Sequence, residues 1–291
     1  LTVTGITASH RVYNASSSAT SVLDTTSAVL SGVESGDAVS LSTASISGSF
    51  ANKNVGNAKA ITISGITISG ADAANYTLTQ PSSSANITAK TLTVTGITAN
   101  NRVYDASASA TALLVKTSAA LSGVETNDTV TLNHSAATAT FANKNIGTNK
   151  PITISGITIS GADAGNYMLT QPSTTASITA AVLTVSGITA TDRVYDSTVS
   201  ATDLLVKGSA ALVGKQGSDV VTISHSAATA TFANKIIGTN KPITITGITL
   251  GGTDAGNYTL TQPGTSASIT AKELTVSNVT AVSRTYDRTT V

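Results

Sequence analysis

The side chains able to do chemistry in this 291-residue chain are few, and most recur at one interval. Two aspartate sets stand out: Asp37, Asp128 and Asp219, and Asp72, Asp163 and Asp254. As hard oxygen donors near a domain junction they could hold calcium and stiffen the chain. No dense acidic loop accompanies them, and lone aspartates of this kind also serve as turn caps, so calcium stays open as an alternative. A hydrolytic triad needs Ser, His and an acid held together. His134 and His225 recur, but Thr43 takes that place in the first copy and His10 belongs elsewhere. The expectation is therefore no catalytic and no cofactor-binding residue, and no enzyme. Lys53, Lys144 and Lys235 lie among asparagines, as an internal isopeptide would require, together with a buried carboxylic acid to move protons. Glu34 and Glu125 have Gln216 as their counterpart, which breaks that option in one copy and leaves solvated strand-end lysines. The sequons at Asn75 and Asn257 lapse at Asn166, where Met168 replaces Thr, so the recurring need is a turn Asn followed by a buried Tyr.

The aromatic residues obey the same interval. Tyr13, Tyr104 and Tyr195 form one set, Tyr76, Tyr167 and Tyr258 a second, and Phe50, Phe141 and Phe232 a third. Modules this poor in aromatics are expected to use them in cores or domain junctions; stacking on a glycan stays open as the alternative.

Positioning these residues is the work of a repeat. Leu1, Leu92, Leu183 and Leu274 each open an LTV segment, 91 residues apart, which gives repeats at 1–91, 92–182 and 183–273 and the start of a fourth at 274–291. That period exceeds the roughly 20 to 50 residues of solenoid coils and propeller blades, so each copy reads as a self-contained domain, a bead with little shared interface. Alternation of apolar and hydroxyl residues over Leu92–Thr98, Val130–Leu132, Ala137–Phe141 and Ile152–Ile159 predicts half-buried strands, about seven per copy. Ala110–Leu121 could form a short helix. Gly156, with Gly65 and Gly247, interrupts a long strand where a bend would let it serve two sheets. In the turn after it, Asp163 and Asn166 can bond nearby backbone and Gly165 can take positive φ. The expected class is all-β, tandem small β-sandwich-like domains in an elongated rod, with a β-grasp-like α+β module as the alternative. Linkers are almost absent, and three such domains in line would extend on the order of 100 Å.

Composition narrows the partners. Charged residues are 11% and the net charge is +1, against about 25% charged in ordinary soluble domains. Basic residues this sparse, with no aromatics among them, exclude a nucleic-acid face. No apolar run approaches the roughly 18 residues of a membrane helix, so no membrane insertion is expected. The chain has no Cys and no signal-peptide pattern, and is expected to be a monomeric piece of something longer.

RVYD at Arg102–Asp105, ATFANKNIG at Ala139–Gly147 and the run from Ile152 to Pro172, in fixed order in the copies, resemble the YDG repeat domain of bacterial adhesins. The family's motif Gly is replaced by Ala15, Ala106, Ser197 and Arg288, and Asn14 stands where other copies carry Asp. The resemblance implies a filamentous-haemagglutinin-like surface or secreted protein of a Gram-negative bacterium. It implies stalk repeats in cell adhesion or biofilm formation, with neighbouring repeats as partners and surface glycan or matrix polysaccharide reached through the parent protein.

Overall fold

The computed structural model describes residues 1–290, and the protein is all-β, its only helices among the described residues being six one-turn 3-10 segments. The α+β alternative therefore falls. The Ala- and Leu-rich stretch after Ala110 gives one such turn, Thr111–Leu113, because its Ser, Thr and Gly neighbours supply no helical continuation.

In the first module the strands are β1 (Thr2–Thr4), β2 (Thr7–Ala8), β3 (Arg11–Val12), β4 (Leu23–Asp24) and β5 (Val29–Ser31). They are followed by β6 (Ser40–Ser42), β7 (Ser47–Phe50), β8 (Gly56–Ser64), β9 (Thr67–Ser69) and β10 (Ser82–Thr88). One four-stranded sheet runs β3-β10-β8-β7, antiparallel except where β3 lies parallel to β10. Three short ladders, β1-β5, β2-β4 and β6-β9, complete the module. Ten short strands replace the seven expected because bends cut the longer ones. Gly65 separates β8, which pairs with β7, from β9, which pairs with β6, as anticipated for this glycine. Its φ is +80°, and a Cβ there would lie 2.1 Å from the Ser45 carbonyl oxygen, so the two arms of the ribbon close on a residue with no side chain. The third module repeats the four-stranded sheet with Arg193–Val194, Gly264–Thr270, Gly238–Thr246 and Thr229–Phe232.

The chain packs as two compact units. The first takes Leu1–Arg102, Ala108–Asn143 and Thr148–Ser177; the second takes Val103–Ser107, Lys144–Gly147 and the chain from Ile178 onward. The division does not follow the repeat: two loops of the middle module, carrying Tyr104 and Lys144, belong with the third. In the first unit one core holds Val3, Phe50, Ile61, Ile63, Ala85 and Ile87 of the first module together with Leu92 and Tyr167 of the second. The expectation of separate beads with little shared interface therefore fails there. A module of this size buries too little apolar surface alone, and with only Ala89 between β10 and the strand Lys90–Thr95 the next module is close enough to extend its core. The second unit has its own core around Ile188, Phe232, Ile243, Ile245 and Ile269. Ala137, Ala139 and Phe141 are all buried, as period two required.

The fourth copy's opening segment carries no strand, and Leu274, Val276 and Tyr286 are exposed. In the third module the matching strand, Ala181–Ser186, pairs with Ala211–Val213 and Tyr258–Thr261. Gly165 does not take positive φ; it sits inside the turn Ala164–Asn166, and Gly161 takes the left-handed conformation instead, with φ +115°.

The motif turn explains its own composition. Ala15, Ala106, Ser197 and Arg288 all have φ near +60 to +70°. The preceding Asn14, Asp196 or Asp287 accepts a hydrogen bond from the backbone N–H two residues on, at 2.9 to 3.2 Å. An amide oxygen serves as well as a carboxylate, which is why Asn14 is tolerated. The arginine two residues before the motif tyrosine packs its guanidinium on the Phe of the next motif block, 4.8 Å from the Phe50 ring centre for Arg11 and 5.0 Å from Phe232 for Arg193. Since a left-handed residue with a Cβ is strained, Ser197→Gly should raise stability by about 0.5 to 1 kcal/mol in urea denaturation and Ser197→Val should lower it. A Gly variant less stable than the parent would contradict this account of the turn.

Candidate functional site at the module boundary

Two clusters of charged side chains lie where one module meets the next. Asp128 follows a turn in which its own N–H bonds the Glu125 carbonyl, with Asn127 at φ +68°. The 3-10 turn Ala164–Asn166 then sets Asp163 at its start and Asn166 and Tyr167 at its end. From the first module, Tyr13 is held by its N–H bond to the Thr88 carbonyl and Lys53 projects from the loop after β7. These five side chains and Asn166 converge in the first unit.

The Asp128 carboxylate is the hub. Its Oδ2 accepts from Tyr13 at 2.7 Å and from Tyr167 at 2.6 Å, and its Oδ1 accepts from Lys53 Nζ at 2.6 Å. Only 1% of its side chain is exposed. Lys53 Nζ also lies 2.8 Å from Asp163 Oδ1, while Asp163 Oδ2 accepts from the Thr129 N–H at 2.9 Å. Tyr167 Oη in turn accepts from the Glu125 N–H at 2.9 Å. Asn166 Oδ1 accepts from the Val55 N–H at 3.0 Å. The Tyr13 and Tyr167 rings meet edge to face with centres 5.3 Å apart.

The second unit repeats the arrangement. Asp219 accepts from Tyr104 at 2.7 Å, Tyr258 at 2.6 Å and Lys144 at 2.5 Å; Lys144 reaches Asp254 at 2.8 Å, and Asn257 accepts from the Ile146 N–H at 3.0 Å. One charged pair is present at the first boundary and absent from the second. Lys90 pairs with Glu125 at 2.6 Å in the first, whereas Ala181 and Gln216 occupy those positions in the second, both partners having changed together.

Each module thus carries two faces. One presents Tyr and Lys (Tyr13, Lys53); the other presents two aspartates, Asn and Tyr (Asp128, Asp163, Asn166, Tyr167). Where no neighbour is packed the same residues are open. Asp37, Asn75, Lys235 and the Asp37-facing side of the first module are exposed, and Tyr195 is only half-buried against 1% and 2% exposure for Tyr13 and Tyr104.

These contacts correct two expectations. Lys53 and Lys144 are not solvated strand-end lysines but the cations of the boundary. The aspartates Asp128, Asp163, Asp219 and Asp254 are more than turn caps, and the space between each pair, where the calcium alternative would put its ion, holds an ammonium group. Among the described residues no three His, Cys, Asp or Glu side chains gather as a metal site. Asn166 and Asn257 are buried in the boundary, which agrees with the turn-Asn reading of the sequons. Of the aromatic residues, Phe50, Phe141 and Phe232 are core, and four of the six tyrosines singled out are boundary residues. Sequence reasoning missed the Lys–Asp pairing, although the paired change of Lys90 with Glu125 was a visible trace of contact.

Electrostatics follow the geometry. Burial pushes the Asp128 carboxyl up, but bonds from Lys53, Tyr167 and Tyr13 outweigh it and hold it below the usual carboxylate range; Asp219 behaves alike. Asp128 and Asp163 raise the Lys53 ammonium well above its ordinary value. Burial first, then the Asp128 carboxylate, pushes the Tyr167 hydroxyl up to about 12.

The chain belongs to the YDG domain family, which matches residues 1–84, 88–176 and 179–267. No curated protein matches it. Among solved structures it is similar to Drosophila N-cadherin EC1-4, with 8% identity over 92% of this chain and 73% of that one and a TM-score of 0.29. It is also similar to the I9-I11 tandem of titin, with 9% identity over 93% of this chain and 100% of that one and a TM-score of 0.20. Likenesses this loose carry no argument.

A depressed aspartate stabilises the boundary above its unfolded pKa and ceases to as pH falls through its folded value. A raised Lys or Tyr stabilises it below its unfolded pKa and ceases to as pH rises through its folded value. The urea midpoint should therefore be flat across neutral pH, fall below about pH 4 and fall again above about pH 10. Replacing both hubs, Asp128→Asn with Asp219→Asn, should flatten the acid limb; an unchanged limb would show that other carboxylates govern it.

Proposed function

We propose that this chain is a run of structural stalk modules in a large surface or secreted adhesin of a Gram-negative bacterium, non-catalytic in itself, which projects a distal binding domain in adhesion or biofilm formation. The observation that supports the reading best is the boundary: the same buried Lys–Asp–Tyr cluster recurs at both, and one residue, Ala89 or Ala180, separates the flanking strands. A spacer must resist bending and pulling at its joints, and a joint built from core packing and satisfied buried charge suits that better than a flexible linker. The hydroxyl-rich surface, 11% charged residues in all, is consistent with exposure to varied ionic conditions, since its hydration depends little on screened charge. The tyrosines that could have stacked on sugar are spent in part at the boundaries, where Tyr13 and Tyr104 are almost fully buried.

The stalk reading expects no ligand of its own. The 291-residue protein on a glycan array, or in pull-downs with matrix polysaccharide, should bind nothing above background. A saturable, competable glycan signal would replace the stalk by a binding module.

A further inference from the structure

Strands in this protein pair antiparallel for the most part, and the parallel exceptions join the beginning of a module to its end. In the third module the entry strand Ala181–Ser186 lies parallel to Tyr258–Thr261, with Ala181 opposite Tyr258, Val182 opposite Thr259, Leu183 opposite Leu260 and Thr184 opposite Thr261. Only Gln262 and Pro263 separate that second strand from the exit strand, Gly264–Thr270. The exit strand is in turn parallel to Arg193–Val194, from the early part of the same module, and the Tyr195 N–H donates to the Thr270 carbonyl at 2.9 Å. We infer that each module is a clamp against tension: a pull along the chain loads these parallel ladders in shear, and they set the force at which the module opens.

The direction of load follows from the pairing. In a parallel ladder the start of one strand and the end of the other lie at opposite ends. A pull that enters at Ala181 and leaves at Thr270 therefore slides the strands past each other, and the bonds of the ladder must give together. Drawn apart at one end, the same bonds give one after another. Forced opening is governed by the barrier to unfolding and not by equilibrium stability, and sharing the load over a whole ladder raises that barrier. Sliding also drags Leu183, the fully buried inward residue of the entry strand, out of its packed surroundings.

The first unit holds the same pairing. Thr2 stands parallel and opposite to Thr79, and the Thr79 N–H donates to the Leu1 carbonyl at 2.9 Å, while β3 lies parallel to β10. In the second module Lys90, Thr91 and Leu92 stand opposite Tyr167, Met168 and Leu169 in parallel, and the Thr170 N–H donates to the Leu92 carbonyl at 2.9 Å. With Ala89 alone between β10 and Lys90, load leaving one clamp enters the next with no slack.

As a role in the living cell this rests on the stalk reading, which supplies the tension. The resistance itself is a property of strand order and is measured without any ligand.

Single-molecule pulling on the 291-residue chain in two directions tests it. The chain has no Cys, so Val182→Cys combined with either Ala271→Cys or Thr259→Cys places thioether-linked handles at two chosen points, all three positions being exposed. Handles at 182 and 271 load the ladder in shear; handles at 182 and 259, which are register partners, peel it from near its start. The two variants differ only at exposed positions, so a difference in force reports direction and not stability. At one loading rate the shear direction should open the module at a several-fold higher force than the peeling direction. Equal forces, or a lower force in shear, overturn the clamp. A glycan signal on the array would retire the stalk and leave this directional difference standing.

Discussion

The constraint on which this structure turns is a carboxylate taken out of water. Removing an ion from solvent costs several kcal/mol, and the cost is met only where donors surround it with good geometry. Asp128 cannot find those donors in its own module: Tyr167 supplies one, but Lys53 and Tyr13 come from the module before. Burying the Asp128 carboxylate and docking the second module onto the first are therefore a single requirement. Separating the two would return a carboxylate and an ammonium to water but would also expose Tyr13, Tyr167 and part of the shared core. The boundary is held by apolar packing in the main, and the buried charges fix which surfaces may meet and in what register.

The frugal use of charge fits this division of labour. With 16 basic and 15 acidic residues in 291, few are available, and those that recur have assigned places. Lysines and aspartates meet at the boundaries, and arginines cover a Phe and bond loop carbonyls within the module. The family's namesake motif has two separate tasks. Its Tyr reaches across to the next module, and its acidic or amide residue caps a turn whose following residue must be left-handed. Loss of the motif Gly therefore strains a turn without touching the boundary.

Much of this was legible in the residues. The 91-residue period, the inward Ala and Ile positions and the bend at Gly65 and its equivalents follow from local rules that need only neighbouring residues. What was not legible depends on register between copies. Tyr13 and Asp128 are 115 residues apart and Lys53 and Asp128 are 75 apart, neither being the period, so no comparison of equivalent positions reveals them. The same limit produced the bead expectation. A tyrosine that recurs in every copy looks alike whether its own module or the next one buries it, and only the half-open Tyr195 beside buried Tyr13 and Tyr104 tells the two apart.

The central claim is that modules are coupled through the hub aspartate, and a double-mutant cycle on unfolding stability across the first boundary measures that directly. Tyr13→Phe keeps the ring and removes one donor; Asp128→Asn keeps the shape and removes the charge it serves. If the 2.7 Å bond between them is made across the boundary in solution, the two losses should be strongly non-additive, with a coupling of about 1 kcal/mol or more. A coupling indistinguishable from zero, each substitution destabilising only its own module, would return the chain to independent beads.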